Sequence, residues 1–253
     1  MASAFSFDVG THGRVTGALY RAADPITQAT LVLAHGAGAP RTHPFMTSMA
    51  GRIAKKGVDV ATFNFLYAEA GRKMPDRVEL LEAAWRAAVA TVRARGGLSK
   101  ERLFIGGKSM GGRIATHIAA ANEGLVLSGV VLLGYPLHPI GKPRVVREEI
   151  LQVRLPMLVV QGTRDELGTA AQLEKLLAGA PRARVHAVEG GDHSLALLKR
   201  EGAERQEHAL DAAAAAIAAF IAAPRAKSRT RKKASVKQAA RGHRDQAMNE
   251  RKR

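Results

Sequence analysis

Short apolar runs alternate with amphipathic segments along most of this 253-residue chain. Runs such as Thr30–Ala34 and Val58–Phe63 are almost continuously apolar, which is typical of strands that are buried on both faces. Between Asp76 and Gly96 the apolar residues instead recur at steps of three and four, as on one face of a helix. Repeated crossovers from strand to helix predict an α/β fold, a mostly parallel sheet with helices on both faces.

The predicted elements cover most of residues 5–223. The predicted strands are Phe5–Val9, Arg14–Tyr20, Thr30–Ala34, Val58–Phe63, Leu103–Ile105, Val130–Leu133, Met157–Gln161 and Arg184–Val188. The first two are expected to form a hairpin. Besides the helix that follows Asp76, helices are predicted over Ile114–Ala121, Ala170–Leu177 and Glu207–Ala223. Ligand sites of such sheets lie beyond the carboxyl ends of the strands, so the residues that follow each strand are the candidates for function.

Positive charge is concentrated at the C-terminal end of the chain. Residues 224–253 hold twelve Lys and Arg against two acids, which places +10 of the chain's net +17 in this segment. The segment has no aromatic residue and too few large apolar side chains to form a core. We therefore predict a folded domain over residues 1–223 and a basic tail, residues 224–253, that is disordered in isolation. The tail either keeps the protein soluble or binds nucleic acid or another polyanion without sequence specificity.

Composition excludes several classes of protein. The chain has no cysteine, so disulfides, cysteine-ligated zinc and iron–sulfur clusters are excluded, and a cytoplasmic location is expected. No apolar run approaches the roughly 20 residues that span a bilayer, and the N-terminal segment does not resemble a secretory signal. The histidines show no metal-binding spacing, so neither a metal nor a cofactor is predicted. Nothing in the sequence indicates the oligomeric state.

A Gly-x-Ser-x-Gly motif lies at Gly107–Gly111, between a predicted buried strand and a predicted helix. In that context the pattern is typical of a nucleophile held on a sharp turn, with its hydroxyl projecting outward. Ser109 is the candidate nucleophile. The alternative is an ordinary glycine-rich turn in front of a helix.

A serine nucleophile needs a base, which is usually a histidine held by a carboxylate. Asp165 follows the strand Met157–Gln161, and His193 follows the next strand along the chain. The order Ser109, Asp165, His193 is the one expected for a nucleophile on such a turn. Asp165 is preferred to Glu166 because it comes first after the strand. The alternative for His193 is a structural histidine in a loop.

A second loop carries the remaining element of such a site. His35–Pro40 follows the buried strand Thr30–Ala34, and a His-Gly loop in this position supplies a backbone N–H to an oxyanion hole. Ala37 is the expected donor from this loop, and Met110 is the expected donor after the nucleophile. His35 itself is expected to hydrogen-bond within its loop.

These motifs together resemble those of the α/β-hydrolase superfamily over about residues 5–223, and more narrowly those of a small, lidless, dienelactone-hydrolase-like group. The narrower resemblance rests on His35–Gly38, Phe63–Phe65, Gly71–Pro75, Gly107–Arg113, Gly134–Leu137 and Gly162–Asp165. The resemblance implies hydrolysis of an ester or a related acyl compound without a cofactor. Dienelactone hydrolases use a cysteine where this chain has Ser109, so dienelactone itself is not the expected substrate. A branch of the group is associated with regulatory roles.

Only 22 residues, 134–155, separate the predicted strands at the position where many hydrolases insert a lid. Their prolines and glycines favour loop, so we expect little or no lid and a small substrate. The residues expected to contact that substrate are Gly36, Lys108, Arg72 and Tyr135. The basic residues around the motifs either orient an anionic substrate or form an ordinary solvated surface.

Two functions from different classes remain open. The first is a serine hydrolase that forms an acyl-enzyme on Ser109. The second is a non-catalytic interaction module with a hydrolase fold, whose basic tail binds nucleic acid or another polyanion. Reaction of Ser109 with a serine-directed probe separates the two.

Overall fold

A computed structural model of the chain describes residues 2–26, 28–96, 98, 102–121 and 124–224. Within these residues, eight strands form one sheet in the order β1-β2-β4-β3-β5-β6-β7-β8. The strands are β1 (Ala2–Asp8), β2 (Arg14–Tyr20), β3 (Thr30–Ala34), β4 (Asp59–Phe63), β5 (Leu103–Lys108), β6 (Gly129–Leu133), β7 (Met157–Gly162) and β8 (Ala183–Val188). Strand β2 pairs antiparallel with β1 and with β4, and all other pairs are parallel. The predicted mostly parallel sheet is confirmed.

Helices cover both faces of the sheet. They are α1 (Pro44–Lys55), α2 (Leu66–Glu69), α3 (Val78–Ala94), α4 (Met110–Ala121), α5 (Ala170–Leu177) and α6 (Ala203–Ala222), with 3₁₀ turns at Glu148–Gln152 and Lys199–Glu201. Helices α3, α4 and α5 supply Trp85, Ile114 and Leu173 to the apolar core on one face. Helices α1 and α6 supply Ile53 and Ile217 to the core on the other. Each such fully buried side chain contributes about 1.5–3 kcal/mol of hydrophobic free energy.

Several elements differ from the sequence prediction, among them the short helix α2, which was not predicted, and α4, which begins at Met110 rather than at Ile114. Helix α1 was not expected, although Pro44 stands at its first position, which is an ordinary sign of a helix start. Its cap is His43, which is not among the residues that commonly cap helices. Strand β5 runs on to Lys108 through Gly106 and Gly107, because these residues pair with Val131 and Leu132 of β6. Helix α6 begins at Ala203, one turn earlier than its apolar stripe indicates.

The segment that joins β6 to β7 contains no lid. Residues 134–156 are all described, and the 3₁₀ turn Glu148–Gln152 is their only helical segment. In the described part of the chain, no helix combines the length and the hydropathy of a membrane span. The predicted basic tail lies outside the described residues except for Pro224.

Candidate active site

Ser109 stands on the turn between β5 and α4, with the backbone in the left-handed region at φ 50°. This conformation is rare for a residue with a side chain and is stabilised here by packing on both sides. A β-carbon on Gly107 would lie 2.6 Å from the carbonyl oxygen of Ala34, and one on Gly111 would lie 2.5 Å from that of His35. Glycine is therefore required at both positions, because α4 begins directly against the end of β3.

We predict that Gly111→Ala lowers the free energy of unfolding by about 1–3 kcal/mol, since the added methyl group meets backbone that cannot move aside. Gly51→Ala is the matched control, because Gly51 is also helical but has nothing within 4 Å of the added carbon. That substitution is expected to stabilise the protein by up to about 1 kcal/mol. Urea unfolding of both variants measures the difference, and an equal effect at the two glycines would contradict the assigned close approach.

Three polar side chains form a hydrogen-bonded line across the carboxyl ends of β5, β7 and β8. The hydroxyl of Ser109 donates to Nε2 of His193 at 2.9 Å, and Nδ1–H of His193 donates to Oδ2 of Asp165 at 2.8 Å. Asp165 is buried, with an exposure of 1%, whereas His193 is partly exposed. The arrangement can pass a proton from the hydroxyl to the imidazole while the carboxylate holds the ring.

Asp165 is held by two donors besides the histidine. Its Oδ1 accepts from the N–H of Leu167 at 2.8 Å, and its Oδ2 accepts from Nε2 of Gln161 at 2.8 Å. Gln161 is itself fully buried, donates to the carbonyl of Gly168 at 2.6 Å and accepts from the N–H of Tyr135 at 2.7 Å. One carboxamide thus ties the ends of β6 and β7 to the carboxylate.

Asp192 precedes His193 along the chain but is not part of the hydrogen-bonded series formed by Ser109, His193 and Asp165. Its Oδ1 accepts from the N–H groups of Ser194 and Ala196, at 2.7 and 2.9 Å. The side chain therefore closes the turn that carries His193.

The loop after β3 is anchored by a buried histidine. Burial lowers the pKa of His35 to about 4, so its ring is neutral at pH 7. Its Nδ1–H donates to the carbonyl of Gly36 at 2.9 Å, and its Nε2 accepts from the N–H of Phe65 at 3.1 Å. The hydroxyl of Tyr67 donates to the same carbonyl at 3.2 Å.

This anchoring also orients the N–H of Ala37. The carbonyl of Gly36 and the N–H of Ala37 belong to the same peptide group, and in a trans peptide the two point in opposite directions. The Gly36 carbonyl is directed at His35 and Tyr67. The Ala37 N–H therefore points away from these two side chains. Neither it nor the N–H of Met110, at the start of α4, donates to another described residue. Both groups are available to a ligand.

The four residues expected to contact substrate have different surroundings. Gly36 packs against Ser109, since a β-carbon placed on it would lie 3.6 Å from Cβ of Ser109. Arg72 is half-exposed and forms an ion pair with Asp76 at 2.5 Å. Tyr135 is a correction, because its side chain has no exposed surface and belongs to the apolar core. A ring that is enclosed on all sides has no surface to offer a substrate.

Lys108 is the fourth of these residues, and it is buried next to Ser109 with an exposure of 9%. Burial lowers the pKa of its ammonium to about 8, against the attraction of Asp165 and Asp192, which raises it. Its Cγ lies 3.5 Å from the position of a β-carbon on Gly36.

Sequence reasoning missed two residues of the site. Gln161 is the last residue of a predicted strand, and no pattern distinguishes it from a buried polar residue at a strand end. Tyr67 lies in the short helix α2, which has too few residues for a periodic signal. Among the described residues, no cluster of three metal-ligating side chains is present.

Comparisons with known proteins agree with this architecture. A family model described as an alpha/beta hydrolase domain matches residues 27–222. The chain is similar to the structure of an alpha-beta serine hydrolase homologue from Coxiella burnetii, with a TM-score of 0.66 at 15% identity over 85% of this chain and 96% of that one. It is also similar to a serine hydrolase without a lid from Xanthomonas campestris, with a TM-score of 0.64 at 18% identity over 84% of this chain and 91% of that one.

A third similar structure is a dienelactone hydrolase from Anabaena variabilis. Its TM-score is 0.65 at 20% identity, over 87% of this chain and 96% of that one. Identities this low show that the fold is shared.

Proposed function

Because this chain belongs to the alpha/beta hydrolase domain family, we propose that it is a serine hydrolase that cleaves a small ester or a related acyl substrate. Ser109 is the nucleophile, His193 is the general base and acid, and Asp165 orients the imidazole. The N–H groups of Met110 and Ala37 form the oxyanion hole.

One observation supports this proposal above all others. The two ring nitrogens of His193 lie 2.9 Å from the hydroxyl of Ser109 and 2.8 Å from the carboxylate of Asp165. Hydrogen bonds of this length, from nucleophile to base and from base to carboxylate, are what nucleophilic catalysis by serine requires.

Acylation begins when the Ser109 hydroxyl attacks the carbonyl carbon of the ester. Nε2 of His193 takes the hydroxyl proton as the new C–O bond forms, and Asp165 stabilises the resulting imidazolium. The carbonyl oxygen becomes an oxyanion that the N–H groups of Met110 and Ala37 stabilise, helped by the N-terminal end of α4. The imidazolium then protonates the departing alkoxide, which leaves as the alcohol while the acyl group stays on Ser109.

Deacylation repeats the same proton transfers with water. Nε2 of His193 takes a proton from a water molecule while the oxygen of that water attacks the acyl carbon. The second tetrahedral intermediate collapses when the bond to Oγ breaks, and the imidazolium returns its proton to Ser109. The acid product leaves and the enzyme is restored. No step uses a cofactor.

A serine-directed fluorophosphonate probe tests the proposal. The wild-type protein is expected to become labelled, and Ser109→Ala is expected to remain unlabelled. Ser194→Ala is the matched control, because Ser194 is an exposed serine next to His193 and its labelling is expected to equal that of the wild type. Labelling that is absent from the wild type, or that persists in Ser109→Ala, would exclude the proposal.

The lack of a lid predicts the range of acyl chains. Without a lid, no apolar cover closes over a long chain, so kcat/KM is expected to peak at about two to four acyl carbons. A series of p-nitrophenyl esters with two to twelve acyl carbons measures this. No increase in rate is expected when the ester exceeds its solubility limit. A maximum at eight or more carbons would contradict the prediction.

The basic tail supports a second function that is independent of the first. Twelve Lys and Arg within residues 224–253 favour binding to a polyanion through its phosphates, and the segment has no Phe, Trp or Tyr on which bases could stack. We predict that a chain ending at Ala223 loses affinity for duplex DNA and keeps its ester hydrolysis within about twofold.

Fluorescence anisotropy with two unrelated duplexes measures this binding at several salt concentrations. Affinity of the full chain is expected to be equal for both duplexes and to fall steeply with salt. Unfolding of the shortened chain, or loss of its hydrolysis, would show that the tail belongs to the folded domain.

A further inference from the structure

We propose that the ammonium group of Lys108 is an anion subsite, and that the preferred substrate is an ester carrying a free carboxylate. This inference rests on the proposed hydrolase function and names the class of ester that it acts on. The carboxylate stands on the acyl or on the alcohol side of the ester, and the experiment below distinguishes the two.

The first observation that supports this proposal is the position of Lys108. It directly precedes Ser109, and its buried side chain runs along Gly36, whose position also contacts the nucleophile. A β-carbon on Gly134 would lie 3.1 Å from Nζ of Lys108 and 2.5 Å from the carbonyl oxygen of His193. The ammonium group therefore lies beside the loop that carries the proposed base, at the same edge of the sheet as the nucleophile.

The second observation is that the ammonium group of Lys108 has no partner among the described residues. Nζ makes no hydrogen bond and no ion pair with any residue that the structure describes. Its neighbour Phe45 has its ring centroid 6.0 Å away, at the outer limit of a cation–π contact. Asp165 and Asp192 act on it only through longer-range attraction.

An ammonium group in these surroundings has lost part of its hydration and has no acceptor among the residues that the structure describes. Such burial is costly unless a partner is supplied, and the three N–H donors of a lysine suit a carboxylate. An anionic group of the substrate would supply that partner only while the substrate is bound. The same contact would hold the ester next to Ser109.

Lys108 could instead serve only as a counter-charge for Asp165 and Asp192. In that case its removal would change hydrolysis of charged and neutral esters by the same factor. An anion subsite predicts a selective loss for the charged esters, so the two roles are separable in one experiment.

The experiment compares two pairs of esters. Monoethyl glutarate and ethyl pentanoate differ by a carboxylate on the acyl side, and 3-(butanoyloxy)propanoate and propyl butanoate differ by one on the alcohol side. In wild type, one charged ester is expected to exceed its neutral partner in kcat/KM by about 10- to 100-fold, the value of a charge-assisted hydrogen bond. The pair that shows the preference identifies the side that faces Lys108.

Lys108→Met is expected to remove this preference, so that kcat/KM falls by a factor at least tenfold larger for the charged ester than for its neutral partner. Methionine is unbranched and one atom shorter than lysine, and it keeps the apolar stem without the charge, so the variant is expected to fold. Lys108→Gln provides a second uncharged side chain. Lys175→Met is the matched control, because Lys175 is an exposed lysine on α5. The preference of Lys175→Met for the charged ester over its neutral partner is expected to equal that of wild type. A preference that persists in Lys108→Met, or an equal loss for charged and neutral esters, would overturn the inference.

Two further outcomes separate the inference from the function on which it rests. Hydrolysis of the neutral esters without any preference for a charged one overturns the inference and leaves the hydrolase proposal intact. Absence of all hydrolysis and of fluorophosphonate labelling overturns the hydrolase proposal.

Binding can be measured without turnover by titrating both charged esters into Ser109→Ala in a calorimeter. For one of the two charged esters, the Kd is expected to be at least tenfold higher in the double variant Ser109→Ala, Lys108→Met than in Ser109→Ala alone. If neither ester binds to Ser109→Ala, the inference is overturned.

Discussion

Replacing Ser109 with alanine is expected to lower kcat/KM for ester hydrolysis by about a thousandfold or more, and His193→Ala by a similar factor. The two residues act as one unit, because the hydroxyl is a weak nucleophile until the imidazole 2.9 Å away takes its proton. The double variant is therefore expected to be no slower than the slower of the two single variants. Initial rates on a short p-nitrophenyl ester, measured for all three variants, test both statements.

Two matched controls show whether the loss belongs to these positions. Ser194→Ala and His208→Ala remove the same groups from exposed sites, and both are expected to retain activity within about twofold. Residual activity above one tenth of wild type in Ser109→Ala would show that another group performs the attack.

Asp165→Asn is expected to lower kcat by about 10³- to 10⁴-fold while the protein stays folded, as it does when the carboxylate of such a triad is replaced. Both oxygens of Asp165 accept hydrogen bonds, from Leu167 on one side and from Gln161 and His193 on the other. An amide can keep only one of these sides as an acceptor. When its oxygen keeps the N–H of Leu167, its NH₂ group faces Gln161 and His193, and this orientation disfavours the imidazole tautomer that accepts a proton from Ser109.

Glu166→Gln is the control for this prediction, since Glu166 is the adjacent acidic residue and is exposed. It is expected to leave kcat within about threefold of wild type. Single-turnover rates and thermal unfolding of both variants separate a catalytic loss from a loss of structure. A larger effect at Glu166 than at Asp165 would move the role of the acid to the neighbouring residue.

The α/β architecture could be predicted because each element carries its own local signal. The parallel strands at the centre of the sheet are buried on both faces, so they appear as apolar runs without alternation. Their order along the chain and the need for crossover helices leave few ways to arrange them. Helix α1 was missed although Pro44 stands at its first position. The predicted start of α6 and the predicted end of β5 differ from the structure because pairing and packing decide where an element begins and ends.

Candidate site residues could be selected by their place along the chain. Ser109, Asp165 and His193 each follow a predicted strand, and the carboxyl ends of parallel strands meet at one edge of a sheet. Tyr135 also follows a predicted strand and was expected to contact the substrate, but it lies in the core with no exposed surface. The end of a strand gives the location of a residue, whereas the direction of its side chain depends on what packs around it.

The amino-acid sequence by itself determined the fold class, the absence of cysteine chemistry and the concentration of charge in residues 224–253. These properties depend on composition and on patterns within short windows. Only the tertiary structure decided that Gln161 holds Asp165 and that the Gly36 carbonyl is anchored by His35 and Tyr67. It also decided that the buried Lys108 has no hydrogen-bond or ion-pair partner among the described residues. Tyr67 is 31 residues from Gly36 along the chain, whereas Gln161 and Asp165 are only four residues apart. In both cases the burial and the side-chain directions that make the contact exist only once the strands and loops around them are packed together.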